Sequence, residues 1–179
     1  NKFSLFLKLS DISLRLEATN TLIKIINNKC YQKVEFLITC LKEIIVNITL
    51  SIAAMPDLLL ASLIVVNLLL HFQELHTIFL DEKIFILIVS VFTYDQKSRE
   101  DIFKEVCYAL RSVIIIFRGK LNEEDMKFAL LSLQSASKYI VENQLINYVI
   151  CFINLLELKA FYSVIEKDSK NIFKSCFES

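Results

Sequence analysis

His71 and His76, the consecutive acids Glu123, Glu124 and Asp125, and five cysteines, Cys30, Cys40, Cys107, Cys151 and Cys176, are the side chains with the chemistry to ligate a metal, move a proton or attack a substrate. Their spacing works against each role. Neighbours on a helical face are three or four residues apart, so the two histidines do not stack on one face; they read as flanking a break before a short helix. The three acids follow Asn122, where a capping side chain and the positive end of a helix dipole account for them without a metal. The cysteines are odd in number and widely spread, mostly within apolar helical patterns, and no two sit at zinc-ligand or redox spacing. They read as small buried hydrophobes of a reducing compartment, cytoplasm or nucleus. There is no glycine-rich phosphate loop and no nucleophile elbow. The expectation is a non-catalytic chain that calls for neither metal nor cofactor.

Composition points to one structural class. With 1 glycine and 1 proline in 179 residues there is little material for hairpins and tight turns, and an all-α fold follows. Lys plus Arg equals Asp plus Glu at 20 each, so no global field favours nucleic acid or an acidic membrane surface. Hydrophobic residues make up 55%, and the mean hydropathy of +0.51 is high for a domain in water, which implies deep burial or apolar ends that belong against neighbours. The chain opens at Asn1 without a signal-peptide layout and reads as a piece of a longer protein.

The most fully specified element is Ser98 to Gly119. Ser98 is a candidate cap, with Asp101 at the capping-box position and Glu100 and Glu105 adding negative charge near the start. Ile102, Val106, Ala109, Leu110, Val113 and Phe117 recur at three and four as one buried face, and Gly119 reads as a left-handed stop.

Elsewhere, Ser10 and Asp11 can cap a helix to about Asn28 whose stripe is Leu14, Ala18, Leu22, Ile25 and Ile26. Tyr31 to Ala54 reads as one long helix or as two joined by a bend, and Pro56 restarts the chain. Leu58 to Phe72 is apolar nearly all round, the mark of a helix covered on both sides; it is shorter than the ~20 apolar residues a bilayer span needs. Short helices over Leu75 to Asp81 and Lys83 to Tyr94 follow, then one from Glu123 to Glu142, one over Leu145 to Leu158, and two more over Ala160 to Lys167 and Asn171 to Phe177.

Superposing the apolar patterns gives a register. Ala18, Leu22 and Ile25 match Ala61, Val65 and Leu68, then Cys107, Leu110 or Arg111, and Val113, then Ile150 or Tyr148, Phe152 and Leu155, at steps of about 40 to 46 residues. In His76 to Ile114, HTIFLDE, KIFILIVSVFTY and SREDIFKEVCYALRSVI resemble the three successive helices of an armadillo repeat, with HEAT repeats as the close relative; LRLEATNTLIKII, LASLIVVNLLL and YVICFINLLEL resemble further third helices. The resemblance implies a right-handed α-solenoid forming a single helical-repeat domain over 1–179, with a partial repeat at 1–28, repeats at 29–72, 73–118 and 119–158, and a terminal partial repeat at 159–179.

In that family the third helices line a concave face, and peptide-binding members carry an asparagine near the helix end with a tryptophan one turn earlier. Asn67 and Asn154 fall at the asparagine position, where Lys24 and Ser112 stand in the other repeats; Asn20, Leu63, Tyr108 and Ile150 hold the tryptophan position. With Glu105 and Arg111 on the same side of the central helix, these residues form the expected partner-binding set. The resemblance implies a protein-interaction scaffold that takes a protein or peptide segment on that face. Self-assembly through the apolar segments Phe3 to Leu9 and Ile172 to Phe177 is the second reading, and a membrane-associated helical protein the third.

Overall fold

The computed structural model describes residues 2–93, 99–136, 149, 150 and 153, and among these every regular element is a helix. The chain divides into two compact units, Asn1–Ile84 and Phe85–Ser179. The division falls inside the 73–118 stretch that the repeat register assigns to one unit.

The first unit begins with a 3-10 helix, Phe3–Lys8. Helix α1, Ile12–Asn27, starts where Asp11, in extended conformation, accepts the Leu14 N–H at 3.0 Å, the bond that an N-cap carboxylate supplies to an otherwise orphan donor. It ends in a Schellman motif. Lys29 takes φ 54, its N–H reaches Ile26 O at 3.0 Å, and the Cys30 N–H reaches Ile25 O at 2.9 Å. Helix α2, Val34–Ser51, is a single helix, so Tyr31 to Ala54 holds no bend within its helical part. Helix α3, Pro56–Leu69, has its proline at the first position, where the missing N–H costs nothing.

Packing follows from the apolar patterns. Helix α3 packs against both α1 and α2, and this is why Leu58, Leu59, Leu63, Val65, Val66 and Leu69 are all buried. The 3-10 helix lies against α1 and α2, with Phe3 5.7 Å from Phe36 between ring centroids and Leu7 fully buried. On α1 the buried set is Ala18, Thr19, Leu22 and Ile26; Leu14 is 51% exposed and falls outside the stripe expected for it. At ~100° per residue Leu14 lies about 80° from Leu22 around the helix, in the first turn, so it is at once at the edge and at the end of the packed surface.

After α3 the chain turns through the 3-10 segment Gln73–Leu75 into α4, His76–Asp81. His76 Nε2 meets the Leu70 carbonyl at 3.0 Å, which satisfies an acceptor freed by the end of α3. Helix α4 closes with Lys83 at φ 50, its N–H on Leu80 O at 3.0 Å.

In the second unit, α5, Ile84–Thr93, and α6, Glu100–Ile116, meet through Phe92 and Phe103, 5.3 Å apart. The expected face of α6 is buried in full: Ile102, Val106, Ala109, Leu110, Val113 and Phe117, joined by Phe103, Cys107 and Ile114. Ser98 lies outside the described residues, and so does the cap expected of it.

Gly119 does not end α6 in the left-handed conformation, since no glycine has positive φ among the described residues. Phe117 closes the helix instead: its N–H bonds Val113 O at 2.9 Å, and its own carbonyl takes the N–H groups of Gly119 and Lys120, each at 2.8 Å. Helix α7, Glu123–Ala136, is capped as expected, Asn122 Oδ1 accepting the Asp125 N–H at 2.8 Å. Of the expected C-terminal helices only Val149, Ile150 and Ile153 are described, each helical.

Candidate partner-binding face

The residues chosen from sequence do not share one environment. Asn20 and Lys24 stand exposed one turn apart on α1. On α3, Leu63 is fully buried and Asn67 is 6% exposed. Neither is offered to a partner while α3 sits against α1 and α2, which corrects the contacts expected at Leu63 and Asn67. On α6, Tyr108 and Arg111 are exposed, and Glu105 and Ser112 are half-buried beside them. Ile150 is half-buried, and Asn154 lies outside the described residues.

Helix α6 carries the most ordered of these surfaces. Its exposed residues after the first turn are Lys104, Tyr108, Arg111 and Ile115, at steps of four, three and four. Such spacing holds side chains on one line along a helix. Tyr108 is 48% exposed and Ile115 55%, two large apolar surfaces set two turns apart with Arg111 between them. Sequence reasoning passed over Ile115, although its spacing from Lys104, Tyr108 and Arg111 was the signal that would have found it.

Charge changes sign along this helix. Glu100 and Asp101 are exposed at the start, where the dipole favours them. The Asp101 carboxylate is held by the Arg99 guanidinium through two bonds of 2.9 Å and takes the Ile102 N–H at 2.9 Å. The Arg99 hydrogen bond is the main cause that keeps this carboxyl below its ordinary pKa. Beyond this turn the exposed charged residues of the helix are Lys104 and Arg111.

An open pocket of about 480 Å³ lies elsewhere, lined by Cys30, Tyr31, Gln32, Lys33, Glu35, Phe36 and Thr39 at the connection from α1 to α2. Of these residues only Cys30 is singled out by the sequence. Cys30 is an exposed thiol, a correction to the expectation that the cysteines are buried, whereas Cys40 and Cys107 are buried. Burial, helped by the nearby Glu43 charge, pushes the Cys40 thiol up to about 12, the opposite of what a nucleophile needs. Among the described residues no group of three or more His, Cys, Asp or Glu side chains could hold a metal ion.

Among the described residues no single helix is long and apolar enough to cross a membrane; α3 with the segment Gln73–Asp81 passes by length and composition only as a pair bent by 113°. Comparison with protein-family models, with curated proteins and with solved structures gave no match. Among the described residues the chain is all-helical.

Proposed function

We propose that this chain is a non-catalytic helical scaffold of armadillo or HEAT-like solenoid type that binds a protein segment on the outer face of α6. The observation that carries the reading is the exposure of Tyr108 and Ile115 on a helix whose opposite side is wholly buried. An aromatic ring and a branched aliphatic chain held open to water on a rigid element are inexpensive to order on binding, and anchors of this kind dominate interface energies. The Asn67 ladder of the family's peptide mode is not part of the proposal, because that side chain lies in the core.

Site-specific photo-crosslinking in cells tests this. A photoreactive residue replacing Tyr108 is expected to give discrete protein adducts that the same residue at exposed Lys42 of α2 does not give. Identical adduct patterns from the two positions would overturn the face.

Self-assembly is favoured by a separate observation in the first unit. Leu5 is 56% exposed and Phe6 54% on the N-terminal 3-10 helix, while Val46 and Leu50 are 49% and 54% exposed on α2, against which that helix packs. Sedimentation of the wild type and of Phe6→Glu separates the two readings: a concentration-independent monomer in both removes self-assembly.

A further inference from the structure

The segment Phe3–Lys8 sits on the first unit as a ligand sits on a receptor. Runs of 3-10 helix beyond about four residues are uncommon, so this one is held by what it docks on more than by its own bonds. Leu7 is the buried anchor, and Phe3 lies 5.7 Å from Phe36 between ring centroids. The Leu7 carbonyl takes the Asn47 amide at 3.0 Å, the Leu9 carbonyl takes the Arg15 guanidinium at 2.7 Å, and Lys8 meets Glu43 at 3.1 Å. The surface of α1 and α2 beneath it is complementary to this sequence, whichever copy of the chain supplies it.

The connection to α1 is a hinge. Only Leu9, Ser10 and Asp11 join the segment to the helix, and the backbone is already extended at Leu9, with ψ 147, and at Asp11, with ψ 115. The turn is made at Ser10, a bend exposed to water. Rotation there swings the segment away on about 10 Å of extended chain. Short hinges are where copies of a chain trade identical elements. Around this hinge the closed chain leaves apolar groups open: Leu5 and Phe6 on the segment are 56% and 54% exposed, and Ile12 and Leu14 in the first turn of α1 are 46% and 51% exposed. Two exchanging chains cross at their hinges, so a second copy both supplies the segment this surface fits and covers the groups beside the crossing.

We propose that two copies of this chain pair by trading Phe3–Lys8, each segment docking on α1 and α2 of the other copy through the contacts it makes within one chain. Those contacts are the same in both forms. What the exchange costs is free motion lost on association, and burial of apolar surface at the crossing offsets it. The proposal rests on the self-assembly reading and adds the way the copies join.

Charge reversal across the Lys8–Glu43 pair tests the exchange. Lys8→Glu sets two acids against each other and Glu43→Lys two cations, whether the segment docks on its own chain or on an identical copy. Only in an exchanged pair holding one chain of each variant do both segments meet the opposite charge. The two variants of the full chain, one isotopically labelled, are unfolded in urea, mixed in equal amounts, refolded together and weighed intact by native mass spectrometry. Mixed dimers are expected to rise from the roughly one-half of random pairing to above about three-quarters, because forming them from like pairs replaces every repulsive contact by an attractive one. Neither side chain is buried, and unchanged helical circular dichroism would show that the variants fold.

Sedimentation of the wild type separates this outcome from the reading beneath it. A monomer across the concentration range would overturn self-assembly and the exchange with it. A wild-type dimer whose variants pair at random would keep self-assembly and overturn the exchange, since copies joined face to face leave each segment on its own chain. A mixture that stays monomeric while the wild type pairs would overturn the exchange as well.

Discussion

Arg15 and Asn47, 32 positions apart, meet at 3.3 Å between guanidinium Nη1 and amide Oδ1, and together they fasten the N-terminal 3-10 helix to α1 and α2. Asn47 Nδ2 donates to the Leu7 carbonyl at 3.0 Å, and Arg15 donates from Nε to the Leu9 carbonyl at 2.7 Å and from Nη2 to the same oxygen. A short helix leaves its last carbonyls without internal partners. Here one buried amide and one half-buried guanidinium take them up. Asn47→Ala is expected to cost about 2–3 kcal/mol in urea unfolding, because two groups lose a partner inside the fold. The Lys8 to Glu43 ion pair, 3.1 Å long but with the lysine half exposed, holds the same segment, and Glu43→Gln should cost under ~1 kcal/mol. Equal losses in the two variants would show that the buried amide has no special role.

The cysteines predict a sharp order of labelling. Cys30 is exposed, while Cys40 is fully buried with its thiol pushed up to about 12. At pH 8 only about one Cys40 in ten thousand would be thiolate even if reagent could reach it. Peptide mass mapping after brief iodoacetamide treatment should find Cys30 modified and Cys40 intact until urea unfolds the chain. Comparable labelling of the two would contradict the burial of α2.

The parts of this structure that were legible in the sequence are those decided within a few residues. Asp11 and Asn122 cap α1 and α7, and Pro56 opens α3, because each acts on its own turn of backbone. The buried side of α6 was readable because its polar residues mark the opposite side. Helix α3 has no such marking. With apolar residues nearly all round, periodicity could not say which side faces outward, and Leu63 and Asn67 were assigned to a surface that α1 and α2 leave no room for. The Arg15 to Asn47 contact was equally hidden, since a bond between positions so far apart leaves no periodic trace.

The pairing of Asp101 with Arg99 has a pH signature. The folded-state pKa of Asp101 is lowered, chiefly by the Arg99 hydrogen bond, below the ~3.9 of an unfolded aspartate. Its contribution is therefore complete above about pH 4 and is lost as pH falls through the lower folded value. Because the pair is exposed and open to salt screening, Asp101→Asn should cost less than ~1 kcal/mol at pH 7. Urea midpoints of wild type and variant are expected to differ at pH 7 and converge towards pH 2. A difference that grew on acidification would reverse the sign and refute the assignment.

The single glycine stands where the backbone does not need one, while two lysines stand where it would be favoured. Gly119 has negative φ and open space around the position of a Cβ, with no heavy atom within 4 Å of it. An alanine there meets no obstacle and restricts the unfolded chain, so Gly119→Ala should raise stability by about 0.4–1 kcal/mol. Lys29 is the reverse case. At φ 54 its Cβ crowds the backbone, at a cost of about 1–2 kcal/mol that glycine does not bear. Part of that gain is offset by the greater freedom of glycine in the unfolded chain. Lys29→Gly is thus expected to stabilise by up to ~1 kcal/mol, and Lys29→Val to destabilise, since a β-branched side chain fits this conformation worst. Thermal melts of the three variants decide the matter: a loss of stability in Gly119→Ala would mean that the turn at Phe117 to Lys120 needs glycine after all, and a gain in Lys29→Val would mean that α1 does not end in the left-handed turn.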